Sequence, residues 1–462
     1  MFEPAPLDPG TLRAYDIRGV VGETLTEAQA YGVGRGFATL VAERIGACSI
    51  SVGYDGRTSS PKLEQALVAG LEASGATVTR VGLGPTPMLY YAAKTLPTDG
   101  AVMVTGSHNP PDHNGFKMML AGGAFYGDDI QELGRIVAQQ AFSDGAGSSR
   151  ENDVSDAYVA TLADAYRSTQ PLKVAWDAGN GAAGEIMTRL TERLPGEHVL
   201  LCAEIDGSFP NHHPDPTVPE NLELLIDTVR EQDCDIGVAF DGDGDRLGAV
   251  DRDGRILWGD QILCLLAADL LRERPGATVI ADVKASQVLF DHIAANGGVP
   301  LMWRTGHSPI KSKMAETGAP LAGEMSGHIF FADRYFGFDD GLYAAVRLLD
   351  VIAGSGKTSA ALRDALPQRI NTPELRFACD DVRKFDVVAE VAERLRRDGA
   401  DVIDIDGVRV NTPDGWWLLR ASNTQPVLVA RCEAEDASGL DRLKAALTAQ
   451  LESSGVAPPD DL

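Results

Sequence analysis

Three carboxylates at alternate positions, Asp241-Gly-Asp-Gly-Asp245, are the densest piece of chemistry in the sequence. A loop of this kind can fold its side chains around one hard cation, since Mg2+ takes oxygen ligands in near-octahedral geometry. Without a cation the acids would repel one another. A calcium-binding EF-hand is excluded, because Arg246 stands where that loop needs glycine and Arg252 where it needs glutamate. A second stretch, Val102-Met-Val-Thr-Gly-Ser-His-Asn-Pro110, is a β-prone run ending in a turn that lifts the Ser107 hydroxyl to the lip of a sheet. His108 flanks it, and Asn114, Gly115 and Lys117 follow closely. Arg420-Ala-Ser-Asn-Thr424 supplies a planar guanidinium, hydroxyls, an amide and loop N–H groups, a good cradle for a phosphate. Gly323-Glu-Met-Ser-Gly-His328 puts a carboxylate, a hydroxyl and an imidazole on one loop, groups suited to reading sugar hydroxyls.

Two nucleotide-like motifs fail on context. Gly354-Ser-Gly-Lys-Thr358 resembles the end of a Walker A loop, but Val351 replaces the first glycine, and a helix over 341–352 precedes it instead of a strand. A helix–helix turn is the better reading. Gly32-Val-Gly-Arg-Gly36 lacks the last glycine of the dinucleotide fingerprint and follows no strand.

The elements that must position these motifs repeat along the chain. Ser49–Tyr54 reads as a strand, Ser60-Pro61 as a helix entry with Ser60 capping, Thr77–Val81 as a strand, a helix from about Met88, and Ala101–Val104 as a strand. The same order returns as a strand at Leu172–Trp176, a helix to about Leu194, and strands at His198–Cys202 and Asp235–Phe240. It returns again as a strand at Thr278–Ala281, a helix over Ser286–Ala295, a strand at Val299–Trp303 and an apolar run into Gly323. Arg13–Gly19 reads as an irregular polar and aromatic lead-in. The pattern predicts an α/β protein with three similar α/β domains and mixed, largely parallel sheets. Beyond Thr372 a smaller C-terminal α+β domain follows, and the expected units are 1–150, 151–255, 256–370 and 371–462. Each chemical motif falls just past a strand end, the edge at which open α/β sheets bind ligands.

Composition bounds the partners. Acidic residues outnumber Lys and Arg by 67 to 41, a formal charge of −26, which argues against nucleic acid or an anionic membrane. The first residues show neither a basic nor an apolar leader region, no run approaches a membrane span, and the six cysteines are scattered singly. A cytoplasmic protein with free thiols is expected.

Taken together, Thr105–Pro110, Asp241–Arg246, Gly323–His328 and Arg420–Pro426 resemble, in order and one per unit, the α-D-phosphohexomutase superfamily. The sugar loop looks most like that of the bacterial phosphomannomutase/phosphoglucomutase subgroup. The resemblance implies a four-domain, heart-shaped architecture around a central cleft. It implies an isomerase that converts hexose 1-phosphate to hexose 6-phosphate, on mannose, glucose or both, through a phosphoserine and a hexose 1,6-bisphosphate. The alternative within the superfamily is a phosphoglucosamine or phosphoacetylglucosamine mutase. Carried over residue by residue, Ser107 is the phosphoryl carrier, and Asp241, Asp243 and Asp245 hold one Mg2+ per chain with the phosphoserine as a further ligand. His108, Lys117, Arg246 and His328 are catalytic. Glu324, Ser326 and His328 meet sugar hydroxyls; Arg420, Ser422, Asn423 and Thr424 hold the non-reacting phosphate; Tyr15, Arg18, Lys284 and His307 complete the binding set. Glucose or mannose 1,6-bisphosphate is the implied activator, a phosphosugar the only partner, and a monomer the expected state. His113 and Pro309 depart from the family pattern, where Tyr and Leu are frequent, at positions without an assigned role.

Overall fold

The computed structural model describes every residue except Met1, Thr424, Asp460 and Asp461. Three of its sheets share one strand order. In the first, Thr77–Leu83, Ser49–Tyr54, Gly100–Val104 and His113–Leu120 lie side by side in that sequence. In the second, the places are taken by Gly196–Leu201, Leu172–Asp177, Ile236–Phe240 and Leu247–Asp251. In the third, they are taken by Val299–Trp303, Thr278–Asp282, Leu321–Gly323 and Ile329–Phe331. The first three strands of each set are parallel and the fourth turns back antiparallel. The central strands Gly100–Val104 and Ile236–Phe240 are buried throughout, which is why they read as unbroken apolar runs. A fourth sheet, carrying the strands from Ile370 to Ala434, is wholly antiparallel and is covered by the helices Arg383–Arg397 and Ala437–Ser453.

Several details depart from the sequence reading. Part of the lead-in is a strand, Ile17–Val20, paired antiparallel with His113–Phe116. The helix runs from Ser60 with Ser59 at the N-cap position but no side-chain cap bond, and the Ser60 hydroxyl instead donates to Asp55 at 2.5 Å. The next helix starts at Thr86, two residues before Met88. Ser148–Glu151 pairs with Thr77–Arg80 in the first sheet, and Ile256–Leu257 pairs into the second, so strand pairing carries each sheet past residues 150 and 255.

Both rejected motifs have structural roles. Gly34 lies inside the helix Glu27–Ile45, and a Cβ there would stand 2.2 Å from the Leu67 carbonyl oxygen; reciprocally, one on Gly70 would meet Tyr31 O at 2.2 Å. The glycines thus let two helices touch backbone to backbone. At 354–358 a helix stops at Ser355, Gly356 takes φ +66°, and Thr358 caps the next helix.

Apolar packing divides the molecule unequally. One core runs through the first three units, joining Met88, Trp176, Phe240, Leu263 and Leu342. The C-terminal unit has its own core, around Val387, Trp417 and Leu443. It meets the third unit through the small cluster of Val283, Trp416 and Leu418, and through Arg409, which stacks 3.7 Å from the Trp416 ring and donates to Val283 and Ala285 carbonyls. Among the described residues no helix is long and apolar enough to cross a membrane.

Candidate active site

The threefold repeat brings three motifs to one place. Each hairpin from the third to the fourth strand of a unit carries one: Ser107, the Asp241–Asp245 loop, and Glu324–His328. The strands Ser49–Tyr54, Leu172–Asp177 and Thr278–Asp282 end at or just before an aspartate, Asp55, Asp177 or Asp282, and two of these grip a motif loop directly. Asp55 accepts from Gly106 N at 3.0 Å, and Asp282 accepts from Met325 N at 3.2 Å. The sequence reading gives these aspartates no role, although their recurrence after equivalent strands was the available signal.

Ser107 is buried and sits at φ +49°, a left-handed conformation that costs a non-glycine residue roughly 1–3 kcal/mol. Its surroundings hold it there. Arg57 donates to the carbonyls of Ser107 at 2.8 Å and Asn109 at 2.6 Å, and Ser107 N donates to Thr105 Oγ1 at 2.8 Å. Arg18 donates to the Gly106 carbonyl. The Ser107 hydroxyl then donates to Asp241 Oδ2 at 3.0 Å, with His108 Nδ1 3.2 Å away. Burial, and behind it the charge of Arg246, pushes His108 well below its ordinary value, so its ring is neutral.

Asp241, Asp243 and Asp245 are fully buried, with ligand oxygens within 4.8 Å of one another, and Gly244 at φ +75° lets the loop fold back on itself. Burial and the charges of Asp243 and Asp245 raise the Asp241 carboxyl. Asp243 Oδ1 is buried with no hydrogen-bond partner among the described residues. The Lys117 ammonium lies 2.8 Å from Asp243 Oδ2 and also pairs with Asp245, so two of the three carboxylates already share a cationic partner. Although burial opposes its charge, Asp243 and Asp245 outweigh it and raise the Lys117 value. An all-oxygen donor set with an orphaned oxygen fits Mg2+.

The sugar loop adjoins this triad. His328 lies 3.2 Å from Asp245 and 3.1 Å from Glu324; burial disfavours its charge, but those carboxylates prevail and lift it to about 9. Arg246 Nε is 3.3 Å from His328, and Ser326 Oγ is 3.2 Å from its other nitrogen. His307 is buried and neutral beside Lys311. Glu324 Oε1 accepts from Gly306 N at 2.7 Å. Lys284 is engaged at 2.9 Å by Glu374 of the C-terminal unit.

The remaining residues join the units. Tyr15 donates to the Thr305 carbonyl and accepts from Asn423, each at 2.7 Å. Arg420 is paired with Asp406 at 3.1 Å, and Ser422 Oγ accepts from Gln425 N at 3.2 Å. Thr424 lies outside the described residues. The sequence reading therefore missed a supporting set: Asp55, Arg57, Thr305 and Asp406.

A second polar cluster lies behind the serine loop. His213 donates to the His108 carbonyl at 2.6 Å, while His212 donates through one nitrogen to Asp177 at 2.9 Å and through the other to the His213 carbonyl. Both partners accept, which favours the protonated form of His212, and Cys202 is close by. The bonds to Asp177 and then Cys202 push it up to about 10 from an ordinary 6.5. A raised histidine contributes its full stability below pH 6.5 and loses it as pH climbs towards 10. The urea midpoint is therefore expected to fall across that window, and His212→Gln to flatten the fall; equal slopes in both proteins would contradict the assignment.

Similarity to known proteins follows the same division. The chain matches phosphoglucomutase/phosphomannomutase alpha/beta/alpha domain I over residues 10–144, domain II over 156–254, domain III over 258–370 and the C-terminal domain over 374–450. It is 46% identical to the phosphomannomutase/phosphoglucomutase of Pseudomonas aeruginosa across 97% of each chain. It is 48% identical to a phosphoglucomutase of Neisseria gonorrhoeae across 96% of each. The crystal structure of a phosphoglucomutase/phosphomannomutase family protein from Burkholderia thailandensis superposes with a TM-score of 0.92, at 46% identity over 99% of both chains. On sequence and fold alike, the chain belongs to the phosphoglucomutase/phosphomannomutase family.

Proposed function

We propose that the protein interconverts hexose 1-phosphate and hexose 6-phosphate, of glucose, mannose or both, with Ser107 carrying the phosphoryl group between them. The observation that carries this is the Ser107 hydroxyl hydrogen-bonded at 3.0 Å to a buried carboxylate triad built to hold a cation. Phosphoryl transfer needs alignment and charge neutralisation more than covalent assistance. Asp241, Asp243 and Asp245, with the phosphorylated serine, would hold one Mg2+, which when bound neutralises charge on the transferring group.

In the forward direction the P–O bond to Ser107 Oγ breaks as a P–O bond to a sugar hydroxyl oxygen forms, giving a hexose 1,6-bisphosphate. Reoriented end for end, this returns its other phosphoryl group to Ser107, and free 1,6-bisphosphate of glucose or mannose primes the enzyme. Lys117 and Arg246 offset charge on the moving group. Lys117 and His328 are both held protonated by the triad, so neutralising the triad loosens that hold and lets one of them accept the sugar hydroxyl's proton. His108, neutral beside Ser107, receives or returns a proton at the serine. Glu324, Ser326 and His328 read the hydroxyls, Arg420, Ser422, Asn423 and Thr424 hold the second phosphate, and Tyr15, Arg18, Lys284 and His307 complete the binding set. With its separate core, the C-terminal unit is the part free to open for reorientation and to close against water.

Incubation with glucose 1,6-bisphosphate is expected to add one phosphoryl group by intact mass, mapped to Ser107. A second site of modification, or none, would count against the carrier. Side-by-side assays of glucose, mannose, glucosamine and N-acetylglucosamine 1-phosphates should show turnover of the first two above the amino sugars.

A further inference from the structure

We infer that Asp406 is a positioning residue that sets the phosphate-binding arginine and signals docking of the C-terminal unit to the sugar loop, an inference that rests on the mutase reading above. Asp406 lies in the turn between the strands Asp401–Ile403 and Val408–Thr412, 14 residues before Arg420 and outside every motif described. Its Oδ2 accepts from Arg420 Nε at 3.1 Å, and Arg420 Nη2 approaches Oδ1 at 3.4 Å. This takes the side-on edge of the guanidinium, so an incoming phosphate meets the end-on edge formed by Nη1 and Nη2. Arg420 is 5% exposed, and a guanidinium so buried needs a permanent counter-charge, which Asp406 supplies without occupying the ligand's edge.

The same carboxylate reaches into another unit. Asp406 Oδ2 also accepts from Thr305 N at 3.0 Å, 101 residues away in the chain. The Thr305 carbonyl accepts from Tyr15 of the first unit, and Tyr15 accepts from Asn423, three residues beyond Arg420. A ring of hydrogen bonds thus closes through the first, third and C-terminal units. It leads onward, because the next amide, Gly306 N, holds Glu324, and Thr305 Oγ1 donates to Asp282, which itself holds Met325 N. The 305–306 peptide is therefore shared between the phosphate clamp and the sugar loop. Moving the C-terminal unit away breaks Asp406 from Thr305 N and Asn423 from Tyr15 together, removing its hold on the 305–306 segment that supports Glu324 at the moment the clamp withdraws.

The test is steady-state kinetics on Asp406→Asn, which keeps shape and one acceptor but removes charge, and on Asp406→Ala. The KM for glucose 1-phosphate is expected to rise about tenfold in the first and about a hundredfold in the second, with kcat falling less than KM rises. Asp406→Asn combined with Tyr15→Phe is expected to cost less than the product of the two single effects, because both changes open one ring. Unchanged KM in both single variants, a loss confined to kcat, or strict multiplicativity of the pair would overturn the assignment. If Asp406→Ala fails to fold, the isosteric Asn variant decides alone. Wild-type turnover is measured in parallel: its absence would defeat the mutase reading, whereas normal turnover with indifferent variants would defeat only the role of Asp406.

Discussion

Ser107→Ala is expected to lower kcat by at least about 10⁴-fold while leaving hexose phosphate binding detectable by calorimetry. Among the described residues, the other hydroxyls of this network are engaged: Thr105 and Thr86 both donate to Asp243, at 3.1 and 2.5 Å. Binding survives because the phosphate and sugar contacts come from other loops. Ser107→Gly should be equally inactive yet more stable by about 1 kcal/mol, since glycine adopts φ +49° without penalty. An alanine variant turning over within tenfold of wild type would dismiss the serine as carrier.

The second large effect has opposite signs in two measurements. Asp241→Asn removes one of the three charges that crowd the loop, and burial together with Asp243 and Asp245 already disfavours that charge. The metal-free variant is therefore expected to melt at or above the wild-type temperature. Its turnover should nevertheless fall by about 10³-fold or more, because charge neutralisation at the transferring group depends on the complete donor set. Adding Mg2+ should raise the melting temperature of the wild type and shift the variant far less. Chelation should silence the wild type reversibly. A variant destabilised without metal, or fully active with it, would show that the triad is a structural salt-bridge cluster centred on Lys117.

How much of this was legible in the sequence follows from the range of the interactions involved. Strands such as Gly100–Val104 and Ile236–Phe240 are buried on both faces, so their apolar runs declare them locally. His113–Leu120 does not declare itself, because it carries His113, Asn114, Gly115 and Lys117. It is a strand because it pairs with Gly100–Val104 and Ile17–Val20, while Asn114 finds Ser59 and Ser60, and Lys117 finds Asp243, across the fold. Ser60 looked like a cap by local rules, but Asp55 offered its hydroxyl a buried partner instead. The motif residues were readable as compact clusters of chemical groups. Thr305 and Asp406 were not, since an ordinary threonine and an ordinary aspartate acquire their role from a contact spanning 101 residues.

The three hairpins stand at one address in three copies of the same sheet, and the proposed reaction divides its labour between them. On that proposal the first handles the phosphoryl group, the second the cation, the third the identity of the sugar. Each is anchored to its own copy's strands, and in the first and third the aspartate at the end of the second strand in that order, Asp55 or Asp282, also grips the hairpin. A change of diet can therefore be written into the third hairpin alone, as new side chains around Glu324 and Ser326, while the carrier and the cation loop stay as they are. Architecture of this kind lets a lineage of enzymes try new sugars without relearning how to move a phosphoryl group.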